Sequence, residues 1–127
     1  MWSHGNFYWN ELMTRDAEAA KQFYGATLGW LFEVMPLAFG SYWIAKVGDA
    51  PVAGILEMTG PDFDGLSPGW FAYIAVDDVD KRVKKLLKAG GTVLREPFDV
   101  ADVGRLAIVL DNSGVRFGFI TPKSSES

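Results

Sequence analysis

The sequence contains no cysteine, and its only histidine is His4, near the amino terminus. The first absence excludes disulfides, thiolate metal sites and cysteine nucleophiles. With one histidine as well, carboxylates are the main ligands left for a transition metal, a poor match to ions that prefer nitrogen. No run of about 18 apolar residues is present, so no membrane span is expected. The opening "MWSHGNFYW" lacks a basic segment followed by an apolar one, so we expect no signal peptide and a cytoplasmic protein. Positive charge is also scarce: 12 Lys and Arg against 16 Asp and Glu, a net charge of −4. That balance argues against nucleic-acid binding. The single basic cluster, Lys81, Arg82, Lys84, Lys85 and Lys88, has the spacing of the wet face of a helix.

Hydrophobic residues are abundant. They make up 49% of 127 residues, with 14% aromatic, enough to build a full core in one domain. "FYWNELM" (7–13) reads as an aromatic-rich strand, followed by Thr14 and Asp16, either of which can cap a helix. The helix is expected over about 15–27, with Ala20, Phe23, Tyr24 and Leu28 at helical spacing. Gly25 and Gly29 punctuate its end. Strands are expected at 30–35, 40–47 and 51–58. The second half repeats this order: a strand at 70–76, a helix at about 79–89 capped by Asp77 or Asp78, then strands near 92–95, 105–110 and 115–120. Asp16 and Asp78 lie 62 positions apart, as do Gly29 and Gly91, and Asp49 and Asp111. Matching element order and matching punctuation indicate a structural repeat with little literal identity. The expected fold is α+β: two βαβββ units, about 5–60 and about 67–122, within one domain over 1–127. Paired, they form a curved mixed sheet around a cleft, with the helices on the outer face.

The stretches "LMTRDAEAAKQFYGATLGW" (12–30), "AYIAVDDVDKRVKKLLKAGG" (72–91) and "DNSGVRFGFI" (111–120) resemble the vicinal oxygen chelate superfamily, which includes glyoxalases, bleomycin-resistance proteins and extradiol dioxygenases. The resemblance implies a metal site in the enzymes of that family, with one ligand on the first and one on the last strand of each unit. On the first strand the ligand lies seven positions before the helix-opening Asp, which here means Trp9 and Phe71. The last-strand positions fall on Gly118 and, less directly, on Gly54. None of these four side chains binds a metal, so neither a metal nor another cofactor is expected.

Alternation from Trp9 places Phe7, Trp9, Glu11 and Met13 on the inner face, and Tyr8, Asn10 and Leu12 on the other. The matching sets elsewhere are Phe71, Tyr73 and Ala75, and Arg116, Gly118 and Ile120, with Leu106 and Ile108 as neighbours. Trp43 or Tyr42 joins them, depending on register. We take Trp43. Gly54 and Gly118 are expected to leave room for Trp9 and Phe71. Glu11 and Arg116 are charged residues in strands otherwise built for burial. Either they are solvated or paired at an edge, or they hold a polar ligand in an aromatic pocket. Glu57 lies off the inner register, and Lys46 is undecided.

The first reading is a metal-free binding protein for a small aromatic or cationic molecule, contacted by Phe7, Trp9, Glu11, Met13, Trp43, Gly54, Phe71, Tyr73, Ile108, Arg116 and Gly118. The alternatives are a glyoxalase-type lyase or isomerase using an unusual metal or Glu11 as base, and a non-catalytic regulatory or interaction domain. The partners expected are a small-molecule ligand and a second copy of the chain, because open sheet edges need cover. Beyond Glu11, no catalytic residue is assigned.

Overall fold

A computed structural model describes residues 2–37 and 40–123. The chain is α+β and divides into two compact units, one formed by Trp9–Phe71 and the other by Met1–Tyr8 with Ala72–Ser127.

The Trp9–Phe71 unit holds β1 (Phe7–Thr14) from Trp9 onward, α1 (Ala17–Leu28), β2 (Leu31–Leu37), β3 (Gly40–Val47) and β4 (Ala50–Glu57). Its strands run in the order β2-β3-β4-β1. β1 is parallel to β4 and the other pairs are antiparallel, which makes the sheet mixed. Asp16 begins α1, its Oδ1 accepting from the Ala19 N–H at 3.0 Å. The Glu57 carboxylate adds a second cap, accepting from the Ala17 N–H at 2.8 Å. Both satisfy donors that a first helical turn leaves open, and both place negative charge at the positive end of the helix. Gly29 ends α1 at φ 74°, a left-handed position that glycine adopts without strain. α1 covers one sheet face, where Leu12, Ala17 and Ile55 are buried and Tyr24, Phe32 and Trp43 pack around them.

In the other unit, β5 (Gly69–Ala75) from Ala72 onward, α2 (Val79–Lys88), β6 (Thr92–Val100), β7 (Gly104–Leu110) and β8 (Arg116–Pro122) follow the same plan. The strand order is β5-β8-β7-β6, with β5 parallel to β8. Asp78, not Asp77, caps α2, accepting from the Lys81 N–H at 3.1 Å. Val79 and Val83 anchor α2 on Val76, Ala107 and Val109, with Phe117 and Phe119 packed beside them. The segment before β1 belongs to this unit: the Gly5 N–H donates to the Ala75 carbonyl at 2.7 Å, and the Ala75 N–H to the Asn6 carbonyl at 2.8 Å.

β6 is longer than the 92–95 expected from the sequence. Its pairing with β7 shifts register between Val93 and Arg95 and again between Arg95 and Phe98. These irregularities break the two-residue alternation, and Pro97 sits on the outermost strand of the unit, where its missing N–H is tolerated.

Candidate functional site

The strand alternation expected for β1 holds where it can be followed. Leu12 lies in the helix-side core, while Glu11 and Met13 are buried on the opposite face. Glu11 is 4% exposed, the only buried charged or polar side chain among the described residues. A buried carboxylate needs donors, and here one is Tyr42. The Tyr42 hydroxyl donates to Glu11 Oε1 at 2.9 Å, and the Trp9 indole N–H donates to the Tyr42 oxygen at 2.9 Å. A phenol has one proton. Because Trp9 occupies an acceptor position on the oxygen, the proton is directed at Glu11. Burial, followed by the Glu11 charge, pushes the Tyr42 pKa far above the usual phenol value, so Tyr42 is a protonated donor at any physiological pH.

Tyr42 reaches this position because of Gly54. Glu11 and Gly54 are opposed across the β1–β4 ladder, and Gly54 faces Ile44 across β3–β4. A Cβ on Gly54 would run into the hydroxyl and ring carbons of Tyr42. In the other unit, Gly118 pairs with Tyr73 on β5 and with Ile108 on β7, and a Cβ there would run into the Tyr73 ring. The expectation that these glycines accommodate Trp9 and Phe71 is therefore corrected. Each seats a buried tyrosine of its own unit.

Trp43 also needs correction. It packs on the α1 face, with the Lys21 ammonium 4.4 Å from its ring centroid, and Tyr42 takes the Glu11 face instead. The cause is a register shift between Ala45 and Lys46 in the β3–β4 hairpin. At the hairpin end Lys46 pairs with Pro51; beyond the shift Trp43 pairs with Ile55 and Tyr42 with Leu56. Without that shift Trp43 would oppose Gly54. A one-residue slip exchanges the two faces of a strand, so no regular alternation drawn from the turn predicts Tyr42. The available signal was a glycine in a strand one pairing away from a large aromatic.

Within the Trp9–Phe71 unit the structure thus gathers Trp9, Glu11 and Gly54 around Tyr42, with Met13 and Phe71 buried. The other unit gathers Tyr73, Ile108 and Gly118, with Arg116 and Ile120 flanking Gly118 on β8. Phe7 is 78% exposed, so it does not share the burial of Glu11 and Met13 on the same strand. Lys46 pairs with Glu33 at the surface. His4 is exposed and accepts from the Asp77 N–H at 3.0 Å. Among the described residues, no three His, Cys, Asp or Glu side chains are grouped closely enough to hold a metal ion.

The model of the glyoxalase/bleomycin resistance protein/dioxygenase superfamily matches residues 7–119. The chain belongs to this superfamily. Among curated proteins, CFP32 of Mycobacterium tuberculosis (strain CDC 1551 / Oshkosh), which carries a glyoxylase name, is 40% identical over 119 residues, covering 93% of this chain and 44% of CFP32. The anthracycline biosynthesis protein DnrV of Streptomyces peucetius is 36% identical over 118 residues, covering 91% of this chain and 41% of DnrV. The chain spans less than half the length of these relatives. Methylmalonyl-CoA epimerase from M. tuberculosis shares the fold at TM-score 0.66 and 15% identity, over 99% of this chain and 95% of the epimerase. A hypothetical protein, BH1468 of Bacillus halodurans C-125, does so at TM-score 0.69 and 15% identity, over 97% and 98%. Both likenesses concern the glyoxalase-like fold alone.

Proposed function

We propose that this glyoxalase-like domain binds a small aromatic or cationic molecule at the Trp9–Tyr42–Glu11 face and uses no transition metal there. The observation that carries this reading is the buried Glu11 side chain, which accepts from the directed Tyr42 hydroxyl beside the Trp9 indole ring. A buried carboxyl group among aromatic side chains suits a flat or cationic ligand. A relative named for anthracycline biosynthesis fits the same class, since anthracyclines are fused-ring aromatics. The face carrying Tyr73, Ile108, Arg116 and Gly118 is the candidate ligand surface of the other unit.

A metal does not suit these residues. The superfamily's ligand positions fall on Trp9, Gly54, Phe71 and Gly118, and the space a longer side chain would need at both glycines is filled by tyrosine rings. Nitrogen and thiolate donors are absent from all four. Elemental analysis of protein purified without chelator and then dialysed is expected to find no stoichiometric zinc, nickel, iron or manganese. One tightly held ion per chain would overturn this reading.

A second reading, a lyase or isomerase with Glu11 as general base, draws on the burial of Glu11 and on the glyoxylase name of CFP32. It requires turnover that Glu11→Gln abolishes; binding without turnover sets it aside.

The domain is further read as a cytoplasmic homodimer. Phe23, Leu28, Leu31 and Trp70 are exposed on the Trp9–Phe71 unit; Tyr24 stacks on Trp30 at 5.6 Å between ring centroids, and Trp70 meets both edge to face at 5.5 and 5.9 Å. A patch of this kind favours cover by a partner. Light scattering at micromolar concentration is expected to give about twice the 14.0 kDa chain mass. A value at the chain mass counts against the dimer.

A further inference from the structure

We propose a second ligand site, for a small organic anion with an aromatic body, in the cavity beside the C-terminal half of α2. The cavity measures about 440 Å³, within the usual range of small-molecule pockets. It lies on the helix side of β8, the face opposite Arg116, Gly118 and Ile120. Phe117 and Phe119 line it, crossing edge to face with centroids 5.2 Å apart, and Leu86 and Ala89 add apolar wall. Both phenyl rings are only half-buried, so a ligand covering them removes further apolar surface from water.

The charges around the cavity select the sign of the ligand. Arg82 is engaged, its guanidinium gripping both oxygens of Asp77 at 2.8 and 2.9 Å. Asp111 stays ionised but is turned into its own turn: its Oδ1 accepts from the Ser113 and Val115 N–H groups at 2.7 and 3.0 Å, which holds its carboxyl below the usual range. Asp80, the one acid within α2, is bound by Arg105 at 2.7 Å. Lys81, Lys84, Lys85 and Lys88 enter no ion pair among the described residues. This acidic protein therefore presents one helix with uncompensated positive charge, and Lys85 is the lysine that lines the cavity. Asn112, across from it, makes no side-chain hydrogen bond among the described residues and offers an amide donor. An apolar floor with an ammonium and an amide at the rim matches a flat acid: rings on Phe117 and Phe119, carboxylate or sulfonate at Lys85. The basic cluster that reads in the sequence as a solvated helix face thereby gains a function, independent of the Glu11 site.

The test uses 2-naphthoate as probe, titrated into isotope-labelled protein and followed by amide chemical shifts. Saturable shifts are expected at residues 82–91 and 111–119, with a dissociation constant on the order of 0.1–1 mM, as suits a fragment of this size. Lys85→Gln, at an exposed position that leaves the core untouched, should weaken 2-naphthoate about fivefold or more. The neutral 2-methylnaphthalene should bind more weakly than 2-naphthoate to the parent protein and be indifferent to Lys85→Gln. Three results overturn the proposal: no binding by about 10 mM, shifts confined to other regions, or equal affinity in the Lys85→Gln variant.

Discussion

Gly54→Val is expected to lower stability by about 2–3 kcal/mol, although valine is a better strand former than glycine. β4 is paired on both sides, with Ile44 and Glu11 flanking Gly54, so its backbone has little room to retreat. The new Cβ would overlap the Tyr42 hydroxyl and ring. Relief requires the ring to leave, and its departure strips Glu11 and Trp9 of their bonds to Tyr42. The loss of those two bonds is part of the expected penalty. Denaturant midpoints would measure the loss. Combining Gly54→Val with Tyr42→Ala empties the disputed space, so the double variant should lose at least about 1 kcal/mol less than the sum of the two single losses. Additive losses, or a Gly54→Val protein within about 0.5 kcal/mol of the parent, would show that Tyr42 does not rest on Gly54.

The second large effect concerns ligand charge. N-methylquinolinium and 1-methylnaphthalene have nearly the same shape and differ by one positive charge. Glu11→Gln should weaken the cation by about tenfold or more, because a desolvated charge pair is lost, and barely change the neutral molecule. Trp9→Phe should keep the fold, since a ring remains, at a cost of about 1–2 kcal/mol. It should also remove most of the ligand-dependent fluorescence change, while the other four of the five tryptophans continue to report folding. Tyr42→Phe distinguishes positioning from contact: it preserves the ring and deletes the donor to Glu11 Oε1. If the hydroxyl serves to hold Glu11 in place, the cation loses affinity in Tyr42→Phe as well, and the neutral molecule does not. Unchanged binding of both probes in Glu11→Gln and Trp9→Phe would remove the inner face of β1 from the ligand site.

Much of this was legible in the chain itself. Capping chemistry at Asp16 and Asp78 is local, and both residues begin their helices. Strand alternation is also local. It separates Leu12 from Glu11 and Met13, and Phe117 and Phe119 from Gly118 and Ile120, because a pleat turns successive side chains to opposite faces whatever the rest of the fold does. Those two local signals, repeated at an offset of 62, are enough for the βαβββ order, while the superfamily resemblance rests on the stretches at 12–30, 72–91 and 111–120. What lay beyond reach depends on partners distant in sequence. The choice between Tyr42 and Trp43 turns on one register shift at Ala45/Lys46, which no composition records. The use of Gly54 and Gly118 as seats for Tyr42 and Tyr73 follows from contacts between residues 12 and 45 positions apart. The sequence by itself determined which residues share a face of β1 and of β8 and that glycines interrupt two strands. Only the tertiary structure decided what those glycines make room for, because a cavity is defined by whichever side chain the neighbouring strand brings to it.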